Sequence, residues 1–317
     1  MTETRGHVAL TGGTGFLGPH IAEALRADGW SVRQLARRPQ AVAAGNDVVP
    51  GSLFDDEALE RLLRDVDVVV HAAGVIKTVS RDQFMRVNRD GSRRLAAAVK
   101  RQSRPIRVVS ISSLAAREPG LSDYAASKRA GEDSFRAAGI DDWVVIRPTA
   151  VYGPGDREAA FFLRAAERPF LPVPRVPRGR VSVIYVTDVA SAVTALCASG
   201  SPGKVFELTD HRVDGYEWRE LAREILDASG NRARVIEVPR AVLRALATVS
   251  ATASHVTRRA AMLGPGKVRE LYHPDWSSSA DRQPPPDMWR PRMELRDGLA
   301  RTICWLRSTS RRRIKDN

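Results

Sequence analysis

Short apolar runs and longer stretches of helical spacing alternate through the first half of the chain. Val8-Ala-Leu10 is an apolar run, and helical spacing follows from Phe16 to Asp28 with Ile21 and Leu25 one turn apart. Further runs at Ser31 to Ala36 and Asp47 to Pro50 precede a helical pattern from Glu57 to Leu63. Val66 to His71 is almost continuously apolar, as expected of a strand covered on both faces. Asp82 to Lys100 reads as one long helix, Arg107 to Ser112 as a strand, Tyr124 to Ala138 as a helix and Trp143 to Arg147 as a strand. Such a series predicts an α/β fold, a Rossmann-type doubly wound parallel sheet with helices on both faces.

Beyond Pro148 the texture changes. Pro169, Pro172, Pro174 and Pro177 mark a loop-rich excursion. Val181 to Val186 and Val205 to Leu208 read as strands flanking a helix from Asp188 to Ala198. From Tyr216 onward the pattern is mostly helical, broken at Gly264-Pro-Gly266 and Pro284-Pro-Pro286. The expected division is a dinucleotide-binding region over 1–155 and a smaller, mostly helical substrate-binding region over 156–317. Within the latter, 180–208 returns to the first sheet and 307–317 forms a basic tail. No stretch reaches the ~20 apolar residues of a membrane span. The nearest, Val242 to Met262, is amphipathic, with Leu243, Leu246, Val249, Ala253 and Val256 about one turn apart and Arg240, Arg244, Arg258 and Arg259 towards its ends.

Composition narrows the picture. The 317 residues are 43% hydrophobic, and the N-terminus runs into the first strand without an apolar leader, so a cytoplasmic protein is expected. Cys197 and Cys304 are the only cysteines, which predicts neither a disulfide framework nor a metal site. The net charge is +13, and from His211 onward 21 basic residues face 13 acidic ones. Arginine dominates this excess, which codon bias explains as readily as a partner does. As a partner, the anionic inner face of the cytoplasmic membrane, met peripherally, is favoured over nucleic acid because no base-reading module is visible. A homodimer stays open.

Three clusters carry chemistry. Thr11-Gly-Gly-Thr-Gly-Phe-Leu-Gly18 follows the first strand and opens the first helix, where Gly12, Gly15 and Gly18 let the backbone approach a pyrophosphate at the helix N-terminus. At the end of the second strand, the acid that would bind the ribose of NAD is replaced by Ala36 and followed by Arg37 and Arg38. Arginines there suit a 2′-phosphate, with Arg37 as the bidentate contact and Arg38 in support, so NADP(H) is the expected cofactor. Finally, Tyr124 and Lys128 lie four residues apart and share a helix face, where an ammonium can lower the pKa of a phenol.

Together these stretches resemble the extended short-chain dehydrogenase/reductase family over nearly the whole chain. The resemblance rests on the glycine stretch, Val70-His-Ala-Ala-Gly74, Val87-Asn-Arg-Asp-Gly91, Ser110-Ile-Ser-Ser113, Tyr124 with Lys128, Arg147-Pro-Thr-Ala-Val-Tyr-Gly-Pro154 and Tyr185-Val-Thr-Asp188. It implies that Ser113 holds a substrate carbonyl, with Ser112 the other candidate. It further implies that Tyr124 supplies the proton, and that Lys128 binds the nicotinamide ribose while lowering the tyrosine pKa. It also implies cofactor contacts from Gly12, Thr14, Gly15, Phe16, Leu17, Gly18, Ala72, Ala73, Pro148 and Val151, with Asn88 near the cofactor or purely structural. The acid that often meets adenine after the third strand is replaced in Gly51-Ser-Leu53, leaving Ser52 and Leu53 for that contact.

The same family contains epimerases, dehydratases and ketone reductases. Leu114-Ala-Ala116 stands where sugar dehydratases carry Asp-Glu, which argues against dehydration. Phe161-Phe-Leu163, Phe170-Leu-Pro-Val173 and Val242 to Met262 offer an apolar lining, and Glu270 to Trp276 with Leu299 to Trp305 is similar to the 3β-hydroxysteroid dehydrogenase and dihydroflavonol reductase branch. The expectation is an NADPH-dependent reductase of a ketone on a hydrophobic molecule, for which the resemblance suggests a 3-oxo sphingolipid. A nucleotide-sugar epimerase and a non-catalytic cofactor-holding subunit are the alternatives.

Overall fold

The computed structural model describes residues 4–42, 46–78, 80–199, 201–257 and 263–315. Seven parallel strands form the central sheet: β1 (Gly6–Thr11), β2 (Trp30–Ala36), β3 (Asp47–Pro50), β4 (Val68–His71), β5 (Arg107–Ile111), β6 (Trp143–Pro148) and the later Lys204–Leu208 strand. Their order, with that late strand at one edge, is Lys204–Leu208, β6, β5, β4, β1, β2, β3, so the winding reverses between β1 and β4. Every neighbouring pair in this sheet is parallel. The loops leaving the carboxyl ends of β1, β4, β5 and β6 therefore gather on one edge beside that reversal, where open α/β sheets bind ligands.

Both faces are covered. One is packed by α1 (Leu17–Ala27), whose Ile21 and Leu25 meet Val8, Leu10 and Val70 of the sheet. The other is packed by α2 (Asp56–Leu63), α4 (Gly91–Lys100) and α5 (Asp123–Ala137) through Leu59, Leu95 and Phe135. The long helix expected over 82–100 is not uniform. It comprises α3 (Arg81–Phe84), a π-helical turn over Met85–Asp90 and α4. The wide turn lies against α5 where a side chain on Gly131 would come within 2.6 Å of the Asn88 carbonyl, and Asn88 itself braces neighbouring segments. Other boundaries also shift, and of 180–208, expected to return to the first sheet, only Lys204–Leu208 does so: Arg180–Val181 and Val183–Tyr185 pair in separate small sheets, and a helix already begins at Val186. β4 begins at Val68, because the Asp67 carboxylate caps the His7 amide at 2.9 Å. Gly264 and Pro265 start a helix as well as breaking the preceding one.

The remaining elements are β7 (Ala150–Tyr152), α6 (Arg157–Ala165), β8 (Phe170–Pro174), β9 (Arg180–Val181), β10 (Val183–Tyr185), α7 (Val186–Ala198), β11 (Lys204–Leu208), β12 (Tyr216–Glu217), α8 (Trp218–Ser229), β13 (Arg234–Val238), α9 (Arg240–Thr257), α10 (Pro265–Leu271), β14 (Asp275–Trp276) and α11 (Leu295–Lys315). The proline-rich stretch read as loop is a strand: β8 pairs in parallel with β13, a strand inside the region read as helical. Prolines 172 and 174 are tolerated because β8 has only one neighbour and can lack amide donors on its free side. Leu171 and Val173 point inward to Ala222 and Leu226 of α8. Of the stretches expected to line a substrate cavity, Leu163, Leu171 and Val173 are thus core. The amphipathic stretch also divides differently. Ala247 is buried and Leu243 half-buried, whereas Val242 and Leu246 stand exposed; Arg258, Arg259 and Met262 lie outside the described residues.

Candidate active site

The glycine loop joins β1 to α1 and presents backbone. Gly12 has φ +79°, and a Cβ there would meet the Ala72 carbonyl carbon and Ala73 nitrogen at 2.5 Å. A Cβ on Gly18 would meet the Gly12 oxygen at 2.3 Å, and the Gly15 amide closes the turn on Gly12 at 3.0 Å. Thr14 and Gly15 are exposed, and Phe16, which precedes α1, gives no side-chain cap, so the first amides of the helix remain available to an anion. The cradle fits a dinucleotide pyrophosphate. Gln34, not foreseen, is buried on β2 with its amide against Gly13, where any side chain would collide with it. A buried polar residue of that kind gives no periodicity signal.

The rest of the expected cofactor wall is distributed around this loop. Arg37 and Arg38 follow buried Ala36 at the end of β2, both exposed and without an ion pair or side-chain hydrogen bond among the described residues. Ser52 is half-buried and accepts from the Phe54 amide at 3.2 Å. Leu53 is different: its side chain is core, against Gly91, so only its backbone faces outward. Ala72 and Ala73 lie half-buried after β4; Pro148 is buried at the end of β6, and Val151 half-buried in β7.

Ser113 and Tyr124 are brought together. Ser113 follows β5 and caps a short turn, accepting from the Ala115 amide at 3.2 Å, and its hydroxyl is hydrogen-bonded with the Tyr124 phenol. Ser112 faces elsewhere and donates to Glu132 at 2.5 Å. Ser113 is therefore the serine at the phenol. Tyr124 sits in the first turn of α5, which starts there because Ser122 caps the Ala125 amide at 2.9 Å. Its ring packs 6.0 Å from that of Phe84.

The electrostatics differ from expectation. Burial pushes the Tyr124 phenol up to about 12; the Ser113 hydrogen bond opposes this and Glu270 adds to it. Lys128 donates instead to the Ile111 carbonyl at 2.7 Å, and burial pulls it down to about 8 against the charge of Glu132. A protonated phenol is the form a general acid needs.

Behind the lysine lies a sealed polar network. His71 bridges Thr11 at 2.8 Å and Ser92 at 3.0 Å, and burial, aided by the Lys128 charge, pulls its imidazole down to about 3. Asn88 clasps the Val75 backbone at 2.8 and 3.0 Å and donates to Ser127 at 2.9 Å, which makes it a brace between the loop after β4 and α5. Glu132 binds Arg147 at 2.9 and 2.7 Å.

The C-terminal region supplies residues that sequence reasoning missed. Glu270 on α10 is buried, takes the Ser122 hydroxyl hydrogen bond and pairs with Lys267 at 3.3 Å. Arg269 donates to the Leu121 carbonyl at 2.6 Å, so α10 grips the end of α5 that bears Tyr124. The contacts link residues 148 positions apart, a separation no local pattern reveals.

A parallel sheet wound about a glycine cradle, with a serine–tyrosine pair at its carboxyl edge, defines a dinucleotide-dependent enzyme of the short-chain dehydrogenase/reductase type. Residues 8–209 match the NAD dependent epimerase/dehydratase family, and the chain belongs to that family. It is 43% identical over 313 residues to the ceramide reductase of Caulobacter vibrioides, covering 97% of this chain and 96% of that one. It is 29% identical over 264 residues to the 4-hydroxy-2-methyl-3-oxo-4-farnesyl-3,4-dihydroquinoline-1-oxide ketoreductase of Stigmatella aurantiaca, covering 75% and 78% of the two chains. The solved UDP-glucose 4-epimerase of Thermus thermophilus, in complex with NAD, matches with a TM-score of 0.68 at 23% identity, covering 95% and 99% of the two chains, a likeness of fold.

Proposed function

We propose that the protein reduces the ketone of a 3-oxo sphingolipid, a 3-oxoceramide, with NADPH. The observation that carries this reading is the similarity to a ceramide reductase along almost the whole of both chains. Residues 1–155 hold the cofactor and 156–317 the substrate, with Lys204–Leu208 of the latter as the edge strand of the first sheet. The cradle of Gly12, Thr14, Gly15 and Gly18, with Phe16 and Leu17 at the head of α1, would hold the pyrophosphate. Ser52 and the Leu53 backbone meet adenine, Ala72, Ala73, Pro148 and Val151 flank the nicotinamide half, and Arg37 with Arg38 receives the 2′-phosphate. The two unpaired arginines beyond Ala36 support NADP over NAD.

The hydride for the carbonyl carbon would come from a reduced nicotinamide held there. Tyr124 gives its proton to the carbonyl oxygen, which Ser113 orients. Lys128, which donates to the Ile111 carbonyl, would bind the ribose as an ammonium. A water-insoluble substrate places the enzyme at the anionic inner face of the cytoplasmic membrane as a peripheral protein; among the described residues no helix is long and apolar enough to cross one. Incubation of the purified chain with NADPH and synthetic 3-oxoceramide tests the reading: stoichiometric NADPH loss with the 3-hydroxy product supports it, and turnover of a UDP-sugar alone replaces it with an epimerase.

A further inference from the structure

Five large hydrophobic side chains stand exposed among the described residues, and four of them fall on two neighbouring segments. Phe170 is 52% exposed on β8, Ile236 42% on β13, and Val242 and Leu246 48% and 56% at the start of α9. The cause is visible in the pairing. β8 and β13 form a sheet of two strands whose Leu171, Val173 and Val235 turn inward to α8, leaving Phe170, Pro172 and Ile236 on the outer side. α9 follows within two residues of β13, and Val242 and Leu246 lie one turn apart on its outer face.

The charge around these side chains is mostly of one sign. Arg168, Arg175, Arg232, Arg234, Arg240 and Arg244 are exposed, and none has an ion pair or a side-chain hydrogen bond among the described residues. The acids in the same two stretches are Glu167 and Glu237, and Glu237 is taken by Arg219 at 2.6 Å. Arginines without partners set among exposed apolar side chains complement a surface that is anionic outside and apolar beneath. Nucleic acid would satisfy the charges and leave Phe170, Ile236, Val242 and Leu246 in water.

We propose that the face formed by β8, β13 and the first half of α9 docks on an anionic lipid bilayer. This rests on the lipid-ketone reading above and identifies the surface through which the substrate is met. The face is one helix from the chemistry. α9 packs against α10, Tyr272 at the end of α10 donates to the Val238 carbonyl at the end of β13, and the same helix grips Ser122 and Leu121 before Tyr124.

The test is co-sedimentation of the purified full chain with phosphatidylcholine vesicles and with vesicles containing phosphatidylglycerol, at low and high salt. The docking face predicts binding to the anionic vesicles, weakened by salt. It predicts a loss of more than about tenfold in partitioning for Arg234→Glu/Arg240→Glu/Arg244→Glu, and a loss at both salts for Phe170→Ser/Leu246→Ser. Arg64→Glu/Arg101→Glu, exposed on the sheet region, should bind like the unaltered chain. No binding to anionic vesicles, an equal loss in the Arg64/Arg101 control, or preference for a DNA duplex at equal phosphate overturns the proposal. Turnover of a short-chain, water-soluble 3-oxo amide, measured in parallel, reports the chemistry separately. Vesicle binding without any ketone reduction discards the reductase reading and keeps the docking face; ketone reduction without vesicle binding does the reverse.

Discussion

In the sheet half of the molecule several arginines are held by carboxylates. Arg147 lies inside the protein against Glu132 at 2.9 and 2.7 Å, Arg33 meets Asp47 at 2.7 Å, and Arg107 meets Asp142 at 2.8 Å. Across β8, β13 and the start of α9, arginines stand in solvent without an acid, and so do Arg37 and Arg38 at the cofactor edge. The same residue type therefore serves two ends. Paired, it ties strand to strand or strand to helix in the layers that carry Ser113 and Tyr124. Unpaired and exposed, it is open to an anion from outside, the proposed 2′-phosphate at one edge and the proposed lipid surface at the other. A net charge cannot separate these uses; the partner of each guanidinium can.

The largest expected effect strikes the chemistry that the paired half supports. Tyr124→Phe keeps the ring against Phe84 and removes the proton, so single-turnover reduction should slow by about 10²- to 10⁴-fold while the NADPH dissociation constant moves little. Retention of more than a tenth of the rate would assign the acid elsewhere. The comparison itself is sharpened by stability. Glu132→Ala strands Arg147 in the interior and should cost about 3–5 kcal/mol in denaturant unfolding. Arg244→Ala, exposed and unpaired, should change it by less than about 0.5 kcal/mol. Similar losses for the two would erase the distinction.

How far this was legible follows from what each region must satisfy. Gly12 and Gly18 are dictated by backbone approach, since any Cβ there collides within 2.5 Å, and such demands leave a residue type in the sequence. The parallel sheet with helices on both faces was legible from the alternation of strand and helix patterns. Elements fixed by distant partners were not. β13 hides in a helical texture because only β8, far back in the chain, makes it a strand. Glu270, noted only within a family likeness, gave no sign of its role because that role depends on Ser122, the cap of another helix. Lys128 misled most: spacing put its charge on the phenol, whereas it donates to Ile111 and burial lifts the phenol to about 12.

Two smaller effects complete the test of the comparison. Lys128 is pulled down to about 8, so its ammonium is present below that pH and is lost as pH rises through it. Reductive kcat/KM should accordingly fall on an alkaline limb near 8, and a profile flat to pH 10 would remove the lysine from the mechanism. At the cofactor edge NADPH should bind about tenfold more tightly than NADH, roughly 1.4 kcal/mol, and Arg37→Ala should abolish most of that preference. Equal dissociation constants in the unaltered chain would leave Arg37 and Arg38 without an anion.

The central claim is that the cradle, the Ser113–Tyr124 pair and the substrate region together reduce a long-chain ketone. Its most direct measurement is NADPH oxidation by the purified chain presented with 3-oxoceramide in phosphatidylglycerol-containing vesicles, with UDP-glucose in a parallel reaction. The account predicts NADPH loss matched by the 3-hydroxy lipid and no change in the sugar. Interconversion of the sugar with no reduction of the lipid would contradict it.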